Sequence, residues 1–500
     1  MKQAKRPNIL MILADDMGAW AMGCAGNTDI QTPHLDALAG EGMRFDNYYC
    51  VSPVCSPARA SIFTGTIPSC HGVHDWISHG NLPEQEFRGK PVPPQQYIAH
   101  LTAFTELLSR NGYVCALSGK WHLGDSLTPQ KGFAHWYTIG QGSCDYFRPD
   151  IVEDGRREIR TEYVTDLITQ DALETLDGFA AQDRPFYLSV HYTAPHSPWD
   201  RSQQKKYIWD RYRSTTYDHT PSPRRLHPQL IRSAPYSRRA AGHKRLLRGY
   251  YSAITAMDEG IGRLLERLRE HGLDENTIVL FTSDNGMNLG HHGLYGKGNA
   301  TYPPNMFDSS VKVPFLLRYP PAIEKGSVNE ALYSHYDIMP TLIDLLGLEG
   351  GVQQPLPGKS FAGLFAGQAS STPSGSIVVL GEYGISQMIR SQTFKLVVRD
   401  ARFYDEFYDL HTDPGETCNR IADPACQPQI EAMRRELSDF MQKYADPAYC
   451  CDGAAVTGMG QVTMVTDGRE GAFDGNIPYI APRRARRYIR RQQKKQSGGN

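Results

Sequence analysis

The helical pattern in "RGYYSAITAMDEGIGRLLERLREHG" and the apolar run after it, "NTIVLFTSDNG", constrain the fold more than any other stretch. Ile254, Met257, Ile261, Leu264, Leu265 and Leu268 follow the 3-4 spacing of one buried helix face, and Gly272 supplies the stop. The run that follows stays apolar up to Asp284 and Asn285, as a central strand covered on both faces does. Comparable pieces recur: "NILMILA" reads as strand, "HLDALAGEG" as helix, "FDNYYCV" as strand, "AHLTAFTELLSRNG" as helix and "YVCALSGK" as strand. This alternation predicts an α/β fold with a large mixed, mostly parallel sheet sandwiched by helices. In such sheets ligands collect at the carboxyl ends of the strands. Asp15, Asp16, Lys120, His122, Asp284 and Asn285 all fall there.

A chain of 500 residues exceeds one ordinary core. The pattern divides it into a large α/β domain over residues 1–370, a small C-terminal subdomain over 371–450, and an extended strap with a basic tail over 451–500. Residues 200–248, rich in Arg, Lys, Tyr and Pro, read as a long loop or insertion over the sheet. "GQASSTPSGS" reads as a linker. After it, "SIVVLGEYG", "SQMIRS", "FKLVVRD" and "FYDEFYDLHTDPGE" predict a small antiparallel sheet, and "QIEAMRRELSDFMQKYA" predicts one helix covering it. The tail "RRARRYIRRQQKK" is dense enough in charge to stay disordered unless an anionic partner orders it.

A net charge of -1 with 40% hydrophobic residues argues against a polyanion-binding chain and against disorder, and no base-stacking or groove-reading module is present. The ten cysteines form no CxxC pair or regular spacing, so neither a disulfide frame nor a zinc site is expected. The N-terminal apolar run "ILMILA" is too short for a signal-peptide core and ends in two aspartates, so it reads as the first strand. No window reaches the roughly 18 apolar residues of a membrane span. A cytoplasmic location follows as the expectation, unless a leader has been trimmed.

Asp15, Asp16, Asp284 and Asn285 together offer an all-oxygen donor set suited to calcium or magnesium. Taken singly, an Asp pair after a strand also serves as a helix cap, and "DNG" also makes a turn. The stretch "SPVCSPARASIFTG" carries a lone cysteine at a predicted helix start, with Pro57 in the first turn and a stop near Gly65. Cys55 there reads as buried filler, as a thiol activated by Arg59, or as part of an anion site at a helix N-terminus.

"CSPARASIFTG" matches the C-x-P-x-R signature of the type I sulfatase family. "RPNILMILADDMG", "GKWHLG", "HYTAPHSPW", "FTSDNG", "YGKGNATYPPNMFDSSVKVPFLLRYP" and "FYDLHTDPGETCN" resemble its other blocks in the same order, from residue 7 to about 445. The resemblance implies an alkaline-phosphatase-like fold and a sulfatase that hydrolyses sulfate monoesters of a saccharide, aryl or steroid alcohol. It further implies that Cys55 is converted by a maturation enzyme to formylglycine, an aldehyde that hydrates to a gem-diol.

On that resemblance one gem-diol oxygen of residue 55 joins Asp15, Asp16, Asp284 and Asn285 around Ca2+, with Mg2+ as the other candidate. Arg59 and Lys120 orient the nucleophile, His122 serves as the base on its second hydroxyl, Lys297 binds the sulfate, and His196 binds it and protonates the leaving oxygen. A gem-diol can expel sulfate by re-forming the aldehyde, whereas an ordinary alcohol would leave a stable sulfated enzyme. His71, His74, His191, His291 and His292 are left as substrate contacts or packing residues, and Trp76, Trp199 and Trp209 as platforms for the substrate's alcohol. Two other readings keep the fold: a phosphonate monoester hydrolase or phosphodiesterase, and a silent binding protein whose Cys55 is never matured. The expected partner is a small sulfate ester, with no nucleic acid or membrane partner; a homo-oligomer is admitted.

Overall fold

The computed structural model describes residues 6–231, 234–237, 239–368, 375–382, 385–450, 456–468, 471–475 and 483–497. A ten-stranded sheet is built, in chain order, from β1 (Asn8–Ala14), β2 (Met43–Phe45), β3 (Val114–Gly119), β4 (Phe133–Ile139), β5 (Asp150–Glu153), β6 (Arg156–Ile159), β7 (Phe186–His191), β8 (Thr277–Ser283), β9 (Phe315–Arg318) and β10 (Ser327–Asn329). Their order across the sheet is β10-β2-β9-β8-β1-β7-β3-β4-β5-β6. The five central strands, β8 to β4, run parallel, and antiparallel pairs flank them on both sides. The α/β architecture expected from the alternating pattern is the one observed.

All seven residues of β1 are buried, because the sheet is covered on both faces. Leu10, Ile12 and Ala14 face a core shared with α1 (Pro33–Glu41), α4 (Val164–Ala180) and α5 (Ala240–Glu270). Ile9, Met11 and Leu13 face the opposite core, with α2 (Cys55–Thr64) and α3 (Phe104–Arg110). A four-stranded antiparallel sheet follows, ordered β11 (Ile377–Gly381), β12 (Ser386–Arg390), β13 (Phe394–Arg399), β14 (Glu406–Asp409). Ile430, Met433 and Leu437 of α6 (Gln427–Tyr444) pack on it.

Several expectations need correction. "FDNYYCV" is not one strand: β2 ends at Phe45, and Tyr48–Tyr49 pairs separately with Tyr333–Ser334. The helix in "AHLTAFTELLSRNG" covers only Phe104–Arg110. Residues 200–248 are more than a loop: Lys206–Arg211 is helical, and α5 starts at Ala240 because His243 and Leu247 continue its buried face. Trp199 is buried edge-on against Tyr250, and buried Trp209 lies under the Arg248 guanidinium, so both belong to the packing rather than to a substrate platform. The basic tail is a helix, α7 (Arg483–Gln496). Its Tyr488 lies between His227 and Tyr404, and Gln493 and Gln496 bond residues 402–405, which leaves the charged face exposed. Residues 369–374 of the expected linker, and 451–455, 469–470 and 476–482 of the strap, lie outside the described residues. Among the described residues no helix is long and apolar enough to cross a membrane.

Asp258 ties the longest helix to α1, its two oxygens accepting the His34 and Leu35 N–H groups at 3.1 and 2.8 Å. Burial raises its carboxyl from the ordinary 3.8 to about 7. The stability this group contributes is therefore full below about pH 4 and is lost as pH rises towards 7. Asp258→Asn removes that dependence. Its deficit in unfolding free energy relative to wild type, read by denaturant titration, should shrink between about pH 4 and pH 7, at on the order of 1.4 kcal/mol per pH unit at most. A deficit that does not change with pH would place the carboxyl at its ordinary value.

Candidate active site

Backbone hydrogen bonding continues past the ends of the central strands and seats the polar residues. The Asp15 N–H donates to the Ala194 carbonyl at 3.0 Å, Lys120 N–H to His191 at 2.8 Å and Asp284 N–H to Ala14 at 3.1 Å. Because β8, β1, β7 and β3 are neighbours, the segments that follow them share one end of the sheet. Asp16 has the left-handed φ of 68°, sparsely populated for a residue with a side chain. Its N–H donates to Asp284 Oδ1 at 3.1 Å, and its carbonyl accepts the Tyr250 hydroxyl at 2.9 Å.

From the other side, α2 begins at Cys55, and all ten of its residues are buried. Cys55 Sγ lies 4.0 Å from Asp16 Oδ1, and Lys297 Nζ sits 2.6 Å from both atoms. Arg59 does not point at the sulfur. Its Nε donates to Asp284 Oδ2 at 2.9 Å and one terminal nitrogen to the Lys120 carbonyl at 2.9 Å. Lys120 Nζ donates to Asp15 Oδ2 at 2.6 Å, and Asn285 Nδ2 to Asp16 Oδ1 at 2.8 Å. His196 Nε2 lies 3.7 Å from Asp16 Oδ2. His122 lies within electrostatic reach of Lys120, Arg59 and Lys297. The structure thus brings together all ten residues singled out from the sequence.

Burial and charge set the protonation of the site. Burial pushes the Cys55 thiol up to about 12, more than Lys120 and Lys297 draw it down. The reading of Cys55 as an Arg59-activated thiolate therefore fails, since a neutral thiol is a poor nucleophile. Burial opposes ionisation of Asp284, but Arg59, Lys120 and Lys297 hold it well below the ordinary carboxylate range. Burial, reinforced by Lys120 and Arg59, drives His122 well below its ordinary value, so the ring is neutral. Its Nε2 lies 3.1 Å from the Ile77 carbonyl and must carry the hydrogen, which leaves Nδ1 with a lone pair and no partner among the described residues.

The donor set fits a hard cation. Ligand atoms of Asp15, Asp16 and Cys55 all lie within 4.8 Å of one another. Asp15 Oδ1 and Asn285 Oδ1 are buried there without a hydrogen-bond partner among the described residues, a costly arrangement unless a positive group meets them. Cys55 supplies the one soft atom, and an oxygen in its place would make the set uniform.

The remaining histidines take structural positions. His191 bonds Ser189 and the Lys120 carbonyl, and His71 bonds Ser61. His74 lies against Glu382 and the Tyr449 carbonyl, while His291 packs on Trp20 and His292 on Phe307. Trp76 is half-buried, its indole N–H donating to the Gly458 carbonyl at 3.2 Å. The Ile77 carbonyl and the Tyr250 hydroxyl went unnoticed in the sequence. A backbone acceptor carries no residue-type signal, and Tyr250 lies within a helical core pattern. A cavity of about 1000 Å³ lies elsewhere, between α6 and the small sheet, and none of the ten residues lines it.

A profile of the sulfatase family matches residues 7–348, and one described as N-sulphoglucosamine sulphohydrolase, C-terminal, matches residues 290–443. The N-acetylglucosamine-6-O-sulfatase of Bacteroides thetaiotaomicron is 28% identical, over 89% of this chain and 88% of its own length. A solved structure in complex with its substrate D-glucosamine-2-N,6-O-disulfate superposes with a TM-score of 0.69 at 26% identity, covering 89% of this chain and 99% of that one. The phosphonate monoester hydrolase of Agrobacterium radiobacter shares the fold, with a TM-score of 0.66 at 21% identity over 87% of this chain and 96% of its own.

The donor set predicts a linked loss. Calcium in large excess should raise the wild-type melting temperature, since about 2.7 kcal/mol accrues at a hundredfold excess over Kd. Asp284→Ala should abolish that response and lower the cation-free stability by about 3–5 kcal/mol, because Arg59 then lacks its buried partner. A retained calcium response in this variant would remove Asp284 from the ligand set.

Proposed function

The chain belongs to the sulfatase family and is a sulfuric ester hydrolase, and from that premise we propose that it removes a 6-O-sulfate from an amino sugar, free or in a short saccharide. The relative that acts on N-acetylglucosamine 6-O-sulfate and the neighbour complexed with a 6-O-sulfated glucosamine support this substrate class. The observation that carries the chemistry is the meeting of Lys297 Nζ with Cys55 Sγ and Asp16 Oδ1, beside the unpartnered oxygens of Asp15 and Asn285.

Asp15, Asp16, Asp284 and Asn285, with an oxygen on residue 55, would hold the cation, read as calcium with magnesium as the other candidate. When bound, it would supply Lewis-acid stabilisation of charge developing on sulfate and nucleophile. A formylglycine made from Cys55 by a maturation enzyme would supply the hydrated-aldehyde nucleophile that the thiol cannot. The chain's own side chains do the rest. Arg59, locked by Asp284 and the Lys120 carbonyl, holds a fixed positive charge near residue 55, and its second terminal nitrogen has no partner among the described residues. Lys297 places its ammonium against the same residue, where charge develops, at no cost of reorganisation.

The two histidines divide the proton transfers. His122, with Nε2–H engaged by Ile77, offers Nδ1 as the base for a hydroxyl proton on residue 55. His196 Nδ1 faces the Ser197 carbonyl at 2.7 Å, which directs Nε2 to the reaction side. With 23% of its side chain exposed, against 9% for Lys297 and 4% for Asp16, His196 is the group best placed to meet the leaving oxygen and protonate it.

Sulfate release from a panel of esters tests the reading. The matured protein should cleave 6-O-sulfated N-acetylglucosamine, N-acetylgalactosamine or glucosamine with kcat/KM at least about 100-fold above aryl sulfates, steroid sulfates and phosphonate monoesters. A preference for any of the latter overturns it. Separately, peptide mass spectrometry should find the aldehyde at residue 55, and Cys55→Ala should lower kcat by about 10⁴-fold or more without altering the fold. An active alanine variant would refute the role of residue 55.

A further inference from the structure

The two family profiles end at residues 348 and 443, yet the chain beyond them is built into the wall behind the catalytic residues. Residues 72–78 are held largely by groups from the C-terminal part of the chain. Asp75 Oδ2 accepts the Gly460 N–H at 3.0 Å. Gln461 donates its N–H to the Trp76 carbonyl at 2.8 Å and accepts the Ser78 N–H at 2.9 Å, a parallel bridge that brackets Ile77. Its side chain is fully buried. Oε1 accepts the His74 N–H at 2.9 Å, and Nε2 donates to the Gly72 carbonyl at 2.9 Å.

The bracketed residue touches the catalytic machinery on both sides. The Ile77 N–H donates to Ser56 Oγ at 3.0 Å, next to Cys55 in the chain, and its carbonyl accepts His122 Nε2–H at 3.1 Å. The His122 ring lies close over the Gly142 backbone, where a Cβ would come within 2.2 Å of Nε2. A shift of the Ile77 carbonyl would cost the ring the one hydrogen-bond partner it has among the described residues, and with it the fixed tautomer.

We infer that Gln461 is a positioning residue for His122: by fixing the register of residues 74–78 it holds the Ile77 carbonyl on Nε2–H and keeps Nδ1 as the lone-pair nitrogen. This rests on His122 acting as the base, as read above.

The test uses the full chain with Gln461→Ala, which deletes the side-chain bonds to His74 and Gly72 and a third, from Nε2 to the Thr463 carbonyl at 3.1 Å, and Gln461→Glu, which keeps the acceptor for His74 N–H and loses the donor to Gly72 and Thr463. Three quantities are read: amide exchange of Ile77 and Ser78, the His122 tautomer by ¹⁵N NMR of labelled histidine, and the steady-state constants. In Gln461→Ala the two amides should exchange at least about tenfold faster and the His122 ring should lose its single Nε2–H form. Its kcat should fall about 10–100-fold while KM stays within about twofold. Gln461→Glu should recover part of each. A loop that exchanges faster while His122 keeps its tautomer and kcat is unchanged overturns the inference, as does unaltered exchange in Gln461→Ala. If the alanine variant does not fold, the glutamate variant decides by the same readings, and wild-type values in it overturn the inference. Exchange and NMR do not depend on which ester is cleaved, so a failure of the substrate reading leaves them interpretable.

Discussion

The balance of buried charge at the end of the parallel sheet governs the rest of this structure. Asp15, Asp16 and Asp284 meet Lys120, Lys297 and Arg59, all six removed from solvent. Deleting one member strands an opposite charge in a low-dielectric interior, at about 3–5 kcal/mol. The strand ends, the first turn of α2 and the Lys297 segment must therefore arrive together. A divalent cation added to this balanced set would leave the centre with two net positive charges. Such a centre is suited to a singly charged sulfate monoester and to the negative charge that builds as the ester breaks.

Much of that centre was legible in the sequence, for a physical reason. A strand buried on both faces carries no charged residue, so the first charged residues after β1 and β8, Asp15 and Asp284, mark where each leaves the core. The start of α2 at Cys55 was legible too, from Pro57 and Gly65. What stayed hidden depends on distant partners. Trp199 and Trp209 read as platforms for the substrate's alcohol, and only the underside of α5 explains their burial. The tail was dominated by charge, and its helix forms because one tyrosine and two glutamines find partners in residues 227 and 402–405. Gln461 gave no signal at all, because its role is defined by backbone groups nearly 400 positions earlier.

The C-terminal sheet is likewise joined to the large one by buried polar links. Lys395 of β13, fully buried, bonds Asp308 at 2.5 Å and also Glu416, tying the small sheet to the segment just before β9. Glu382, just after β11, meets His74 at 2.5 Å in the loop that Gln461 braces. Both attachments are directional, so they fix how the small sheet sits as well as that it sits there.

This arrangement has a consequence for the order in which the molecule comes into being. Cys55 leaves the ribosome about 400 residues before Gln461, an interval of roughly 20–80 s at ordinary rates of synthesis. Throughout it, the loop of residues 72–78 lacks its C-terminal braces. In the finished fold Cys55 is 3% exposed at the head of a wholly buried helix. An enzyme that modifies this thiol before the fold is complete would have that interval in which to work, because the finished fold keeps the sulfur from solvent.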